Sequence, residues 1–208
     1  DFCLSRGLGD VYKRQAPMPC DQLDANPLIA EHFRRNYDMS RFGVLATDAG
    51  RMKWATAYAK RLQCPLAVCD KRRWADNADP EIRTVIGIDE IRDREVAIFD
   101  DEILTGGTMT AAICALRDRF GLPVSYVSCV HGVFAEGAVQ RILEAGVRKI
   151  VTTDTLPPPE VNKRMHVVSV APLLAAAIRN IHTGESVTQI FDQVQFLLSP
   201  EQGELWSD

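Results

Sequence analysis

Nowhere in the 208 residues is there an unbroken apolar run of the ~20 residues that a membrane-spanning helix requires. The longest apolar stretch, Val167 to Ile178, is interrupted by Ser169 and Pro172, so the chain reads as soluble, with no membrane partner. An excess of basic charge is missing too. Lys and Arg number 24 against 28 Asp and Glu, a formal charge of −4, which is not the footprint of a nucleic-acid binder. The six cysteines include no C-x-x-C pair, and no histidine stands at zinc-finger spacing, which argues against a structural metal site. Cys69, Cys114 and Cys129 lie inside apolar runs, where a free thiol acts as a small hydrophobe, and this points to a reducing, cytoplasmic setting. No apolar leader stands at the amino terminus, so secretion is not supported.

What is present is an ordinary globular composition, 46% apolar and 25% charged, sufficient for one good-sized domain. Residues 1–15 have neither helical nor strand period and run into a proline-rich stretch; they are expected to be non-native or disordered. Apolar positions at helical spacing after Pro27 predict a helix over Asn26 to Asn36. Beyond it, apolar β-type runs alternate with amphipathic segments. Strands are expected at Phe42–Ala46, Pro65–Cys69, Glu95–Phe99, Val124–Val130, Lys149–Thr152 and His166–Val170. Helices are expected at Arg51–Leu62, Thr108–Phe120, Gly137–Ala145, Pro172–His182 and Ser186–Leu198, with Thr84–Ile88 a strand in a local hairpin or flap. This alternation predicts an α/β fold, a mostly parallel open sheet flanked by helices. Ligands of such sheets bind beyond the carboxyl ends of the strands, so the loops there are the places to look for chemistry.

The strongest signal follows the apolar run Glu95–Phe99. Asp100 and Asp101 come first, then Thr105-Gly106-Gly107-Thr108 opens a helix, with Thr108 expected as its cap. Backbone N–H groups of a glycine turn and first helical turn can surround a phosphate, helped by the Thr105 and Thr108 hydroxyls and the helix dipole. Carboxylates cannot favour that same phosphate. They suit sugar hydroxyls, or Mg²⁺ held through water, so one loop reads both ends of a ribose phosphate. A second loop, Asp48-Ala49-Gly50-Arg51 with Lys53 beyond, offers close backbone approach and positive charge for a diphosphate, with Asp48 on its Mg²⁺. A purely structural turn accounts for it equally well when taken alone. Third, Cys69-Asp70-Lys71-Arg72-Arg73 is expected as a loop after the second strand, its cations placed to neutralise a transferring phosphoryl group. A solvated basic loop is the rival reading. His131, at a strand end, is taken as structural, and His32, His166 and His182 as ordinary partly buried or surface residues.

From about Met18 to Phe191 the chain resembles the C-terminal half of the ribose-phosphate pyrophosphokinases, or phosphoribosyl diphosphate synthetases. The resemblance is carried by Thr47-Asp48-Ala49-Gly50 with Lys53 and Ala59-Lys60-Arg61-Leu62, by Asp70-Lys71-Arg72-Arg73, and by Asp100-Asp101-Glu102-Ile103 with Thr105-Gly106-Gly107-Thr108. Ser169-Val170-Ala171-Pro172-Leu173-Leu174, Gly184-Glu185-Ser186 and Met18-Pro19-Cys20-Asp21-Gln22-Leu23 extend it. It implies a type I phosphoribosyltransferase-like fold over 41–198, a remnant linking segment and helix from the N-terminal domain over 16–40, and a polar tail over 199–208. It also implies transfer of the diphosphate of ATP to ribose 5-phosphate, with Mg²⁺, to make 5-phosphoribosyl 1-diphosphate for nucleotide biosynthesis. By resemblance Lys71 is the catalytic lysine and Arg73 its partner. Asp48 is a Mg²⁺ ligand, with Ala49, Gly50 and Arg51 forming the diphosphate loop. Asp100, Asp101 and Arg73 attend the ribose phosphate, and Thr105, Gly106, Gly107 and Thr108 hold its 5-phosphate. The family's ATP-gripping loop belongs to an N-terminal domain outside this chain, so the chain alone is expected to be weakly active or inactive, and the full-length protein a homo-oligomer.

Two positions depart from the family's pattern. Leu104 stands where a third acid is usual and cannot contact a sugar hydroxyl, and Arg51 stands where a second glycine is usual. Two other functions share the motifs. A nucleobase phosphoribosyltransferase uses the same acid-acid-Thr-Gly-Gly-Thr loop but needs a hood over the base, for which no segment is visible. In a non-catalytic regulatory subunit of the synthetase, intact Lys71 and Arg73 would be unexpected.

Overall fold

The computed structural model describes residues 21–72, 81–158 and 163–192. Its helices and strands run α1 (Asn26–Asn36), β1 (Phe42–Ala46), α2 (Met52–Leu62), β2 (Leu66–Arg72), β3 (Glu81–Ile86), α3 (Ile88–Ile91), β4 (Glu95–Ile103), α4 (Gly107–Phe120), β5 (Val124–Gly132), α5 (Ala138–Glu144), β6 (Lys149–Thr153), β7 (Met165–Val168) and α6 (Ala171–Thr183). The strands form one seven-stranded sheet in the order β3-β2-β1-β4-β5-β6-β7. Every pairing is parallel except β2 with β3. The expected mostly parallel α/β sheet is therefore the fold that forms. No helix among the described residues is long and apolar enough to cross a membrane.

Burial on both faces follows from the alternation of side chains along each strand. Val44, Ala46, Ala97, Phe99 and Tyr126 face one way, into a core closed by Leu28, Ile29 and Phe33 of α1, Tyr58 and Leu62 of α2, and Leu173 and Ala177 of α6. Leu45, Val96, Ile98, Val127 and Cys129 face the other way, against Ile91 of α3, Ile113 and Leu116 of α4, and Ile142 of α5. Tyr58 stacks on Phe99 with ring centroids 3.9 Å apart, and its hydroxyl donates to Asn26 Oδ1 at 2.7 Å, tying α1 to α2. The described cysteines, Cys64, Cys69, Cys114 and Cys129, are free thiols.

Several expected boundaries move, those of two strands because of strand pairing. Strand β4 continues through Asp100 and Asp101 to Ile103, since Asp100, Glu102 and Ile103 pair with Cys129, His131 and Gly132 of β5. The acid pair thus lies in a strand rather than in the loop after it. Strand β2 likewise runs on through Asp70 and Lys71, paired with β3 in the expected hairpin but with an irregularity between Asp70 and Lys71, so Lys71 stands on a strand and not in a loop. Thr108 is not the cap of α4. Gly106 takes that place at φ 70°, a left-handed conformation suited to glycine, and Gly107 begins the helix. In the expected last helix, Val187–Asp192 is a 3-10 turn; residues 193–198 lie outside the described residues, as do 1–20.

His32 of α1 and His166 of β7 stack with centroids 4.3 Å apart, a contact that neither residue announces in the sequence. Burial, then the neighbouring His166 and Lys149, hold the His32 imidazole down at about 4; burial and Lys149 lower His166 as well. A depressed histidine favours the fold above its unfolded value of ~6.5, and that stability is lost as pH falls through the folded value. Equilibrium unfolding is therefore expected to show a loss on the order of 2 kcal/mol between pH 6.5 and 4, after allowance for partial solvent access. His32→Gln should flatten that slope; an unchanged slope would contradict the assignment.

Candidate functional site

The sheet order reverses between β1 and β4: the chain leaves β1 toward β2 on one side and leaves β4 toward β5 on the other. Such a switch point opens a crevice past the strand ends. Leu45 lies opposite Ile98 in the parallel pair, so three residues further on Asp48 and Asp101 arrive at the same level. Asp48 caps the turn Ala49–Arg51, its Oδ1 accepting from the Arg51 amide at 3.0 Å. That turn ends where α2 begins and aims the Arg51 side chain across at β4.

Arg51 meets both acids there. Its Nη1 donates to Asp101 Oδ1 at 2.6 Å and lies 3.0 Å from Asp100 Oδ1. All three side chains are largely shielded, Arg51 at 26% exposure and each Asp at 15%. Burial, and the hydrogen bond shared with Asp101, push the Asp100 carboxyl well above the usual carboxylate range, against the pull of Arg51. At Asp101, burial raises the carboxyl, but the hydrogen bonds with Asp100 and Arg51 and the guanidinium charge outweigh it and hold the group low. Burial also acts to lower the Arg51 guanidinium, but the two acids beside it leave it above its ordinary value. The two carboxyl groups therefore titrate as one coupled pair, burial and their shared hydrogen bond working against the Arg51 charge.

From Ile103 the chain turns into α4. Leu104 is exposed, and the turn is held from behind: Phe134 N donates to Ile103 O at 3.0 Å, Ala135 N to Leu104 O at 2.8 Å, and Arg141 Nη2 to Thr105 O at 2.8 Å. Gly106 is packed so closely that a β-carbon would come within 3.1 Å of Ile142 Cδ1. Thr110 N closes the first helical bond to Gly106 O at 2.8 Å, while Gly107 N makes only a long bond, 3.4 Å, to Thr105 Oγ1. The first-turn amides are thereby fixed in direction and available to an anion.

A cleft of about 290 Å³ runs between these elements, lined by Thr47, Asp48, Arg51, Lys71, Asp100, Glu102 and the whole segment Ile103–Met109. The structure brings Asp48, Arg51, Lys71, Asp100, Thr105, Gly106, Gly107 and Thr108 to one cleft wall or another. Asp101 lies behind Arg51 rather than on the wall, and Ala49 and Gly50 shape the turn without lining the cleft. Arg73 lies outside the described residues. His131 is bonded to Thr155 Oγ1 at 3.0 Å and takes no part in the lining. Glu102 and Thr47 stand within the motifs that carry the resemblance but had no site role assigned to them, although Glu102 continues the acidic run and could have been found by extending the strand. The partnership of Arg51 with the acids has no local signal, because the residues lie far apart in the chain.

Comparison with known proteins bears on this arrangement. A family model described as phosphoribosyl transferase domain matches residues 21–128, and one described as phosphoribosyl synthetase-associated domain matches residues 76–192. Fold and site together define a phosphoribosyltransferase-type domain. More narrowly, the chain belongs to the family described as phosphoribosyl synthetase-associated domain. It is 40% identical over 178 residues to a Streptomyces coelicolor relative, and 34% identical over 176 residues to ribose-phosphate pyrophosphokinase of Corynebacterium glutamicum. Those matches cover 84% of this chain but 55% and 54% of the relatives, so the chain spans about half their length. Phosphoribosylpyrophosphate synthetase from Mycobacterium smegmatis has a similar structure, with a TM-score of 0.70 and 29% identity, covering 84% of this chain and 56% of that one.

Proposed function

We propose that this chain forms the sugar-phosphate half of a ribose-phosphate diphosphokinase, which joins the diphosphate of ATP to ribose 5-phosphate. The observation that carries the reading is one continuous segment, β4 through the start of α4, that presents an acidic strand end and a row of helix-start amides to the same cleft. Carboxylates accept from sugar hydroxyls, while the amides and hydroxyls of Thr105 to Thr108 receive the 5-phosphate. In the reaction the anomeric oxygen forms a bond to the β-phosphorus of ATP, the bond from that phosphorus to the α-phosphate oxygen breaks, AMP leaves, and the hydroxyl proton is lost. Lys71, which lines the same cleft, supplies charge against the transferring group, and Arg73 is assigned the same task.

The family uses Mg²⁺. Among the described residues no three His, Cys, Asp or Glu side chains cluster to hold an ion unaided. Asp48, with only Oδ1 engaged by its turn, offers a hard oxygen of the kind that holds Mg²⁺ together with substrate phosphates. Bound there, the ion would draw charge from the diphosphate. The turn Ala49–Arg51 would hold that diphosphate. Free thiols suit a cytoplasmic enzyme, and the full-length protein is expected to be a homo-oligomer.

Calorimetric titration tests this directly. Ribose 5-phosphate is expected to bind and unphosphorylated ribose not to bind measurably. Thr105→Val and Thr108→Val should each weaken binding about tenfold, in line with the ~1.5 kcal/mol or more of a hydrogen bond to a charged group. Measurable binding of unphosphorylated ribose with the same affinity as ribose 5-phosphate would rule the reading out.

A further inference from the structure

Arg51 occupies ground that the proposed function assigns to the sugar. Its Nη1 sits 3.0 Å from Asp100 Oδ1 and 2.6 Å from Asp101 Oδ1, at the distance a ribose hydroxyl would take up as donor to the same oxygens. The side chain reaches there from a turn on the neighbouring strand, and the turn itself is held by Asp48 rather than by the acids. The guanidinium can therefore leave while the turn stays in place. Among the described residues, the contacts with the acids are made through Nη1. Arg51 also lines the cleft together with Lys71 and Asp48, and a planar guanidinium there can grip phosphate oxygens in pairs.

We infer that Arg51 is a two-position cation: it covers Asp100 and Asp101 while the sugar is absent, and transfers to the diphosphate when the sugar hydroxyls take its place. This rests on the ribose 5-phosphate reading above and adds a specific consequence. Sugar binding has to break two short ion pairs, and diphosphate that takes Arg51 breaks the same two but gains the guanidinium as its partner. An anion that draws Arg51 away also uncovers the acids, so the two ligands favour each other through one side chain, and by reciprocity each does so to the same extent. Leu104, exposed at the turn where an acid would otherwise stand, leaves Asp100 and Asp101 as the acids that Arg51 covers.

The test uses the full chain, wild type and Arg51→Gln, titrated by calorimetry with ribose 5-phosphate and, separately, with inorganic diphosphate. Arg51→Gln is expected to bind ribose 5-phosphate about fivefold to tenfold more tightly and diphosphate several-fold more weakly. Those opposite signs are the signature, since a loss of folding or of general positive charge would weaken both ligands together. Arg51→Lys, which keeps the charge but loses the fork, should fall between the two, and its melting curve controls for folding. Sugar binding that appears only in Arg51→Gln would also uphold the inference. If wild type binds ribose 5-phosphate and Arg51→Gln binds it equally or more weakly, the two-position cation is overturned while the sugar site stands. If neither protein binds the sugar, the function reading and the inference fall together.

Discussion

The double variant Asp100→Asn, Asp101→Asn is expected to bind ribose 5-phosphate at least a hundredfold more weakly than wild type, while its affinity for inorganic diphosphate is unchanged or raised. Each carboxylate that accepts from a sugar hydroxyl contributes about 1.5–3 kcal/mol when the acceptor is charged, and an amide oxygen recovers only part of that. Two such losses come to about 3 kcal/mol or more, a factor above one hundred. Arg51 makes the ligand specificity of the effect diagnostic. With both acids neutral, a guanidinium that is 26% exposed keeps its charge without its two partners, which favours any anion brought near it. The same change should lower the melting temperature, because a shielded charge left unpaired costs more than the pair contributed. Adding Arg51→Gln to the double variant should restore much of that loss. Calorimetry and thermal unfolding on wild type, the Asn pair and the Asn pair with Arg51→Gln separate the two effects. Equal ribose 5-phosphate affinity in wild type and the Asn pair would remove the acids from the site.

Gly132→Ala is expected to cost about 3 kcal/mol of folding stability, near the upper end of what overpacking a core position does. A β-carbon at this position would fall inside the Phe134 ring edge and only 2.6 Å from Thr152 Oγ1. Neither neighbour can yield easily. Phe134 is buried and already holds a left-handed backbone at φ 42°, an arrangement that few residues other than glycine adopt without strain. Thr152 is buried on β6 beside Cys129. The consequence reaches the site, because Gly132 pairs with Ile103, and the amides of Phe134 and Ala135 hold Ile103 and Leu104 from behind. A variant that folds is therefore expected to bind ribose 5-phosphate more weakly as well, through a displaced Thr105–Thr108 turn. Denaturant unfolding should show a lower midpoint with an unchanged slope. A second change, Phe134→Leu, should recover part of both losses by making room at the ring edge. An unchanged midpoint in Gly132→Ala would show that the close packing is not a constraint.

Both expectations depend on contacts between strands, and this is where reading the chain alone reaches its limit. The sheet and its helices were legible because each strand buried on both faces is a nearly continuous apolar run, and each helix carries one apolar stripe. The turn at Gly106 and Gly107 was legible because a left-handed cap and a close approach call for glycine whatever lies around them. The ends of β2 and β4 were not. Asp70, Lys71, Asp100 and Asp101 are poor strand residues by composition, and they become strand because β3 and β5 supply their hydrogen-bond partners.

By itself the sequence determined the β/α alternation, the faces each element buries, and the residue types that stand at the carboxyl edge of the sheet, because these follow from local periodicity and backbone stereochemistry. Tertiary structure alone decided that Arg51 closes over Asp100 and Asp101, that His32 stacks on His166, and that Lys71 rides on a paired strand and lines the same cleft as Asp100. Those arrangements join residues far apart in the chain. Their energy comes from charge and ring contacts that exist only once the parallel register has brought the strand ends together, so no local pattern records them.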